Sequence, residues 1–185
     1  MTDIDDLLRG NAAFAASAFE PSLTINPTGN VMVIGCVDSR VDPAHIFGLT
    51  NGQAVVLRNV GGRVTPALLK SMGMLSRVAH ANAATRVPGP WNLIVLHHTD
   101  CGMTDLAAHT DLLAEYFTVA ASELAHKAVS DPYASVRIDT TVIRSAIHAE
   151  DYYVTGMVYD VATGRVEVVV PPAPVAAAPS DPSSP

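Results

Sequence analysis

The most constraining feature of the sequence is a set of short apolar runs, rich in β-branched residues, that alternate with a segment of helical periodicity. The runs are VMVIG at 31–35, AVVLRN at 54–59 and NLIVLHH at 92–98. Between the second and third runs, residues 66–82 repeat apolar side chains every three or four positions behind an initial proline. Strands that alternate with helices predict an α/β fold with a central, mostly parallel β-sheet flanked by helices.

The remaining segments extend this arrangement at both ends. Residues 5–19 carry apolar side chains at helical spacing before a proline, so we expect an N-terminal helix that packs on a partner subunit. Residues 132–150 form a further candidate helix, and the alternating runs of 152–170, joined by Ala-Thr-Gly, predict a C-terminal edge hairpin. We therefore expect one α/β domain over 1–170 and a disordered tail, rich in Pro, Ala and Ser, over 171–185.

Composition and charge exclude several classes of partner. The 185 residues include 11 Lys and Arg against 18 Asp and Glu, a formal net charge of −7. Nucleic-acid binding depends on Lys and Arg displacing counterions, so no nucleic-acid partner is expected. No run approaches the ~20 apolar residues that cross a bilayer, and the opening MTDIDDLLRG is acidic where a secretory signal is basic and then apolar. These features predict a cytoplasmic protein with no membrane association.

Metal-binding side chains stand at the ends of the first and third predicted strands. Cys36 and Asp38 follow the first strand, and His98 and Cys101 follow the third. Because the carboxyl ends of parallel strands meet at one edge of a sheet, these four side chains are expected to lie close together. Two thiolates and one imidazole are ligands that zinc prefers, and three protein ligands leave a fourth position open, as in catalytic sites. The sequence therefore predicts a catalytic zinc centre.

Asp38 has two possible roles at this centre. It could close the site as the fourth zinc ligand, or it could accept the proton of zinc-bound hydroxide, which forms because zinc lowers the pKa of its water to roughly 7. Arg40 is placed to pair with Asp38 and hold it off the metal. The simpler alternatives are an ordinary surface ion pair for Asp38 and Arg40, and a plain core residue for either cysteine taken alone.

Other residues near these motifs have simpler interpretations beside the functional ones. His97 is expected to pack at the end of its strand, because alternation points it away from His98. Asp100 is expected to accept hydrogen bonds beside the site rather than to bind the metal. The segment RNVGGRV at 58–64 could be a turn that needs positive φ angles or a wall of the active site, and both interpretations stay open.

The motifs together resemble those of the β-class carbonic anhydrases. C-x-D-x-R at 36–40 is followed by H-x-x-C at 98–101, and RNVGGRV at 58–64 resembles the Arg-Asn-x-Gly segment that this family carries between its two metal motifs. The resemblance extends over roughly residues 30–110, and the three motifs are specific only in combination. It implies zinc as the cofactor, hydration of carbon dioxide to bicarbonate and a proton as the activity, and a homodimer or higher homo-oligomer as the assembly.

The resemblance also implies roles for individual residues. Cys36, His98 and Cys101 would bind zinc, while Asp38 and Arg40 would form the catalytic dyad, with Asp38 as a conditional fourth ligand. The substrate pocket would contain small or polar residues of the two strand-end loops, namely Gly102, Asn59 and Gly61.

Two other functions remain open on the sequence. The same zinc site could hydrolyse carbonyl sulfide or carbon disulfide, as relatives of this fold do, or the chain could bind zinc without catalysis. A thiolate phosphatase is excluded, because the arginine that it needs six positions after Cys36 is replaced by Asp42.

Overall fold

A computed structural model describes residues 3–147 and 151–175 of the chain. Its strands are β1 (Val31–Cys36), β2 (Ala54–Asn59), β3 (Trp91–His98), β4 (Tyr152–Asp160) and β5 (Arg165–Pro174). Within the described residues they form one sheet in the order β2-β1-β3-β4-β5. All neighbouring pairs are parallel except β4 and β5, which are antiparallel. The predicted mostly parallel sheet with a C-terminal edge hairpin is confirmed.

Helices precede and connect the strands, and four of these five helices begin at a residue whose side chain caps them. The helices are α1 (Ile4–Ser17), α2 (Pro43–Phe47), α3 (Pro66–Ala81), α4 (Thr110–Phe117) and α5 (Pro132–Ala146). The side chains of Thr65 and Asp131 cap α3 and α5, and each of these helices starts with proline, which is favoured there because its missing N–H has no partner to lose. The helix predicted over 132–150 thus ends at Ala146, and residues 148–150 lie outside the described part of the chain.

The two faces of the sheet bury different sets of side chains. Met32 and Ile34 of β1 belong to the larger core, which α3 and α5 cover with Leu68 and Val136. Val33 and the neighbouring Leu96 point to the opposite face and form a smaller core that includes partly buried side chains of α2. Because side chains alternate along a strand, these two cores fix which face of the sheet each residue reaches at the strand ends.

The N-terminal helix differs slightly from its predicted extent and packs on nothing within the described residues. α1 covers Ile4–Ser17 rather than 5–19, and a reciprocal capping box between Asp3 and Asp6 sets its start. None of its residues is buried, and Leu7 and Leu8 are about 60% exposed. Its packing on a partner subunit stays a prediction.

The boundary predicted at residue 170 is wrong, because β5 continues to Pro174. Ala173 and Pro174 pair with β4, and Val175 is buried and donates its N–H to the Tyr152 carbonyl. Prolines at 171, 172 and 174 are typical of a tail by composition, yet β5 is the edge strand of the sheet, where a missing N–H donor is tolerated. The rest of the predicted tail, residues 176–185, lies outside the described part of the chain. Among the described residues, no helix combines the length and apolar character needed to cross a membrane.

Candidate metal centre

The carboxyl ends of β1 and β3 bring Cys36, His98 and Cys101 together. Cys36 and His98 are the last residues of these two parallel strands, and the loop after β3 returns through Asp100, which has a φ of 53°. The two cysteine sulfurs and an imidazole nitrogen all lie within 4.8 Å of one another, with the sulfurs 4.0 Å apart. The side chains predicted as zinc ligands therefore form one compact group that could hold a metal ion.

The hydrogen bonding of His98 leaves one ring nitrogen free for a metal. Its Nδ1 lies 2.9 Å from the carbonyl oxygen of Thr99, and because a carbonyl only accepts, Nδ1 carries the proton. Its Nε2 is buried and has no hydrogen-bond partner among the described residues. A buried lone pair in this position fits a metal ligand, since an imidazole that binds a metal through one nitrogen usually donates from the other.

The two thiols differ strongly in acidity. The hydrogen bond with Cys101 is the main cause that lowers the pKa of Cys36 to about 4, and the backbone amides of Asp38 and Gly61 lower it further against the opposing effect of burial. The same sulfur contact and burial raise the pKa of Cys101. The pair thus carries one negative charge, because two thiolates at this distance repel each other. A divalent cation would compensate both thiolates, and this donor set fits zinc.

Asp38 is held by Arg40 in a bidentate pair. Arg40 Nη2 lies 2.7 Å from Asp38 Oδ2, its Nε lies 3.1 Å from Oδ1, and its backbone N–H also donates to Oδ1. The hydrogen bond from the Arg40 side chain is the main reason that the pKa of Asp38 falls to about 2. Asp38 is therefore ionised throughout the neutral pH range, and both of its carboxylate oxygens accept hydrogen bonds from Arg40.

Asp100 provides a second carboxylate for the same guanidinium. Arg40 Nη1 lies 2.7 Å from Asp100 Oδ2, and Arg40 Nη2 lies 2.8 Å from the Asp100 carbonyl oxygen. The loop between His98 and Cys101 thus fixes the arginine that holds Asp38. This agrees with the expectation that Asp100 accepts hydrogen bonds beside the site, and its partner could not be read from the sequence.

The end of β2 supports the turn that carries Cys36 and Asp38. Arg58 donates from Nε to the Cys36 carbonyl at 2.8 Å and from Nη2 to the Asp38 carbonyl at 2.7 Å. These two bonds clamp the backbone on either side of Val37. Arg58 therefore sets the distance between the candidate ligand and the dyad without touching either functional atom.

The segment after β2 is a tight turn that also reaches the site. Gly61 and Gly62 have φ angles of 77° and 65°, as the turn interpretation expected, and Asn59 closes the turn by bonding both the N–H and the carbonyl of Arg63. Gly61 also lines the cavity beside the candidate ligands, so the wall interpretation holds for it as well. Asn59 is not among the residues that line this cavity, and its amide closes the turn, so its role in a substrate pocket stays a prediction.

A cavity of about 440 Å³ opens directly beside the three candidate ligands. Its wall includes both members of the dyad and the two predicted glycines, namely Asp38, Arg40, Gly61 and Gly102. Its wall also includes Arg63, His97 and Ser135, none of which was predicted there. A Cβ on Gly102 would meet nothing within 4 Å, so this position leaves room for a small substrate, whereas the Met103 side chain packs directly against Gly61.

His97 and its partners form a buried polar cluster behind the cavity. His97 is 2% exposed, and its Nδ1 lies 2.7 Å from Ser135 Oγ on α5. On the same helix Asp139 pairs with Arg63 at 2.7 Å, and both of these side chains are 2% exposed. The sequence signal for this cluster is Asp139, a charged residue at a buried position of an otherwise amphipathic helix. That signal does not identify Arg63 as its partner.

Comparison with known proteins places these features in a family. The family model described as carbonic anhydrase matches residues 31–120, which contain all three candidate ligands and the dyad. Beta-carbonic anhydrase 1 of Mycobacterium tuberculosis is 30% identical over 180 residues, which cover 92% of this chain and 100% of that protein. The crystal structure of a carbonic anhydrase from Streptococcus mutans is 31% identical, with a TM-score of 0.67 over 91% of this chain and 98% of that one.

A shorter match concerns a different substrate. The carbon disulfide hydrolase of Saccharolobus solfataricus is 33% identical over 85 residues, which cover 46% of this chain and 36% of that protein. The similarity to that hydrolase is thus confined to part of both chains, whereas the similarity to the mycobacterial protein spans nearly all of both.

Proposed function

Because the chain belongs to the β-class carbonic anhydrase family, we propose that Cys36, His98 and Cys101 bind a zinc ion at which carbon dioxide is hydrated. The enzyme is a carbonic anhydrase, which interconverts carbon dioxide and water with bicarbonate and a proton. The observation that carries the site assignment is the approach of three ligand atoms to within 4.8 Å of one another beside an open cavity. Two thiolates and an imidazole with a fourth position open are the donor set of a catalytic zinc site.

Zinc in this position would supply Lewis acidity, which makes water available as a nucleophile near neutral pH. The protein's own residues orient the attacking water. The Asp38 carboxylate, with a pKa of about 2, stays ionised and can accept a hydrogen bond from the attacking water without taking up its proton. The proton therefore leaves to the solvent buffer. Gly102, with nothing within 4 Å of the position of a Cβ, leaves space for carbon dioxide to approach.

The Asp38–Arg40 pair acts as a gate in this proposal. While Arg40 holds both oxygens of Asp38, the carboxylate is not available to a metal, and the fourth position of a zinc ion at this site would be left for water. If the pair opened, Asp38 would be free to become the fourth ligand of a zinc ion held by the two cysteines and His98, and activity would stop. Asp100 supports the open state, because it holds the guanidinium of Arg40 from the other side.

The assembly is proposed to be a homodimer located in the cytoplasm. Support for the dimer comes from α1, whose apolar side chains Ile4, Leu7 and Leu8 are 60–69% exposed in the single chain. Support for the location comes from the two cysteines, because thiol ligands must stay reduced and the cytoplasm keeps them so.

The substrate is tested by comparing turnover on one zinc-loaded preparation. Carbon dioxide hydration, followed by stopped-flow pH indicators, is expected to exceed hydrolysis of carbonyl sulfide and carbon disulfide by orders of magnitude. The partial match to a carbon disulfide hydrolase motivates the second arm of the experiment. Hydrolysis of either sulfur compound without hydration of carbon dioxide would replace the proposed substrate, and full zinc content with no turnover of any of the three would indicate a zinc-binding protein without catalysis.

A further inference from the structure

Asp139 of α5 is a buried carboxylate that the proposed reaction does not use. Its Oδ2 accepts from Arg63 Nε at 2.7 Å and from the Val64 N–H at 3.0 Å. The same oxygen lies 3.3 Å from His97 Nε2, so the imidazole packs directly against the carboxylate. Burial raises the pKa of Asp139, but its contacts with His97 and Arg63 outweigh burial and lower it overall, so the carboxylate is charged.

This carboxylate joins three separate parts of the fold. Arg63 and Val64 follow the glycine turn at the end of β2, His97 is the penultimate residue of β3, and Asp139 itself lies on α5. Arg63 also donates from Nη2 to the Lys127 carbonyl at 2.7 Å. Buried charges are costly unless they are fully paired, and removing one partner leaves the other uncompensated. The cluster therefore holds these elements in one fixed arrangement.

Each end of the cluster adjoins the backbone of a candidate zinc ligand, by packing on one side and by sequence on the other. On the β2 side, a Cβ on Gly62 would lie 2.9 Å from the backbone nitrogen of Cys36, so the turn that Arg63 anchors packs directly on the Cys36 backbone. On the β3 side, His97 is the residue before His98. A shift of Asp139 would therefore be transmitted to the backbone at two ligands that come from different strands.

We infer that Asp139 is a positioning residue for the metal centre, which through Arg63 holds the glycine turn against Cys36 and through His97 fixes the strand end that carries His98. This inference rests on the proposed zinc site. Contacts that orient metal ligands typically account for 10–100-fold in metal affinity, because a site held in place loses less freedom on binding. Asp139 thus sets how tightly the chain binds zinc, although it touches neither the metal-binding atoms nor the substrate.

The test compares Asp139→Asn with Ile143→Ala. Asparagine has the same shape but lacks the charge that Arg63 needs, so zinc affinity measured by chelator competition should fall about 10–100-fold. The visible absorption of the cobalt-loaded protein should change as well, because it reports the geometry of the thiolate and imidazole ligands. Ile143 is fully buried on the same helix and belongs to the larger core, so its truncation should destabilise the fold while leaving zinc affinity and the cobalt spectrum as in the wild type.

A second variant keeps the test decisive if Asp139→Asn does not fold. The double variant Arg63→Met with Asp139→Leu removes both charges together, which favours folding, but it also removes the tether to His97. It should fold and still bind zinc about 10–100-fold more weakly. If either variant folds and keeps wild-type zinc affinity and an unchanged cobalt spectrum, this inference is overturned while the proposed function stands. A wild-type chain that binds no zinc would overturn the proposed function and this inference with it.

Discussion

A single guanidinium serves two carboxylates at the mouth of the site. Arg40 binds the Asp38 carboxylate through Nε and Nη2 and the Asp100 carboxylate through Nη1, although its own side chain is 49% exposed. Only a planar fork of donors can meet both acceptors at once, so lysine could not replace it. The pair is therefore more than a surface ion pair, because its geometry decides where the Asp38 carboxylate lies.

Replacing Arg40 by alanine should abolish most activity while zinc is retained. Without the arginine, nothing competes with the metal for the Asp38 carboxylate, and two unit charges 4 Å apart attract by about 4 kcal/mol at an effective dielectric constant of 20. We expect hydration rates to fall on the order of 100-fold or more, with full zinc content by elemental analysis and a carboxylate oxygen added to the metal ligands in X-ray absorption. Near-normal turnover with full zinc would rule out the gate. Arg165→Ala, an exposed arginine that does not line the cavity, is the matched control.

The same pair makes a pH-dependent contribution to stability. The folded pKa of Asp38, about 2, lies below its ordinary value of 3.8, so the pair stabilises the fold above pH 4 and this contribution is lost as the pH falls toward 2. Because Arg40 is half exposed, we expect about 1 kcal/mol at pH 6. Urea unfolding of metal-free wild type and Asp38→Asn should differ by this amount at pH 6 and converge near pH 2. A difference that stays constant across this range would contradict the assigned pair.

At the scale of elements, the glycine turn after β2 is the most tightly constrained segment near the site. Gly62 has a φ of 65°, and a Cβ there would lie 2.9 Å from both Cys36 N and Gly35 C, which are backbone atoms and cannot rotate away. The turn is closed by Asn59 and anchored by Arg63. Its position and that of Cys36 are therefore coupled.

Gly62→Ala should both destabilise the fold and weaken zinc binding. The left-handed conformation alone costs about 1–2 kcal/mol for a residue with a Cβ, and relief of the clash must move Cys36. Gly73→Ala is the control, because a Cβ at that helical position meets nothing within 4 Å and should be neutral or stabilising by up to about 1 kcal/mol. Urea unfolding and chelator competition measure the two effects, and wild-type zinc affinity in Gly62→Ala would argue against the coupling.

The elements that periodicity governs could be predicted, and the contacts between distant elements could not. The strand of 54–59 was predicted with its observed bounds and α3 within one residue, because apolar spacing and capping are local. The proximity of Cys36 to His98 followed from parallel strand order. By contrast, the pairing of Arg63 with Asp139 spans 76 positions, and the orientation of Asn59 depends on a turn. Such choices depend on tertiary packing, which leaves no periodic signal.

At the scale of the whole molecule, the exposed helix α1 predicts an assembly larger than one chain. Light scattering at micromolar concentration should give at least twice the 19.4 kDa chain mass, because an isolated helix with this apolar face gains stability only by burying it. Leu7→Asp with Leu8→Asp should shift the mass toward a monomer, whereas Asp5→Asn on the same helix should not. A fully active wild-type monomer at that concentration would contradict the dimer.

The most direct test of the zinc site is to measure metal content, metal ligands and carbon dioxide hydration on the same preparations of wild type and Cys101→Ser. For the wild type we expect about one zinc per chain, X-ray absorption from two sulfur ligands and one imidazole nitrogen, and hydration activity. Cys101→Ser should lose most of its zinc and all activity, because a hard hydroxyl replaces one of the thiolates. Near-stoichiometric zinc in Cys101→Ser, or an active wild type without two sulfur ligands, would contradict the account.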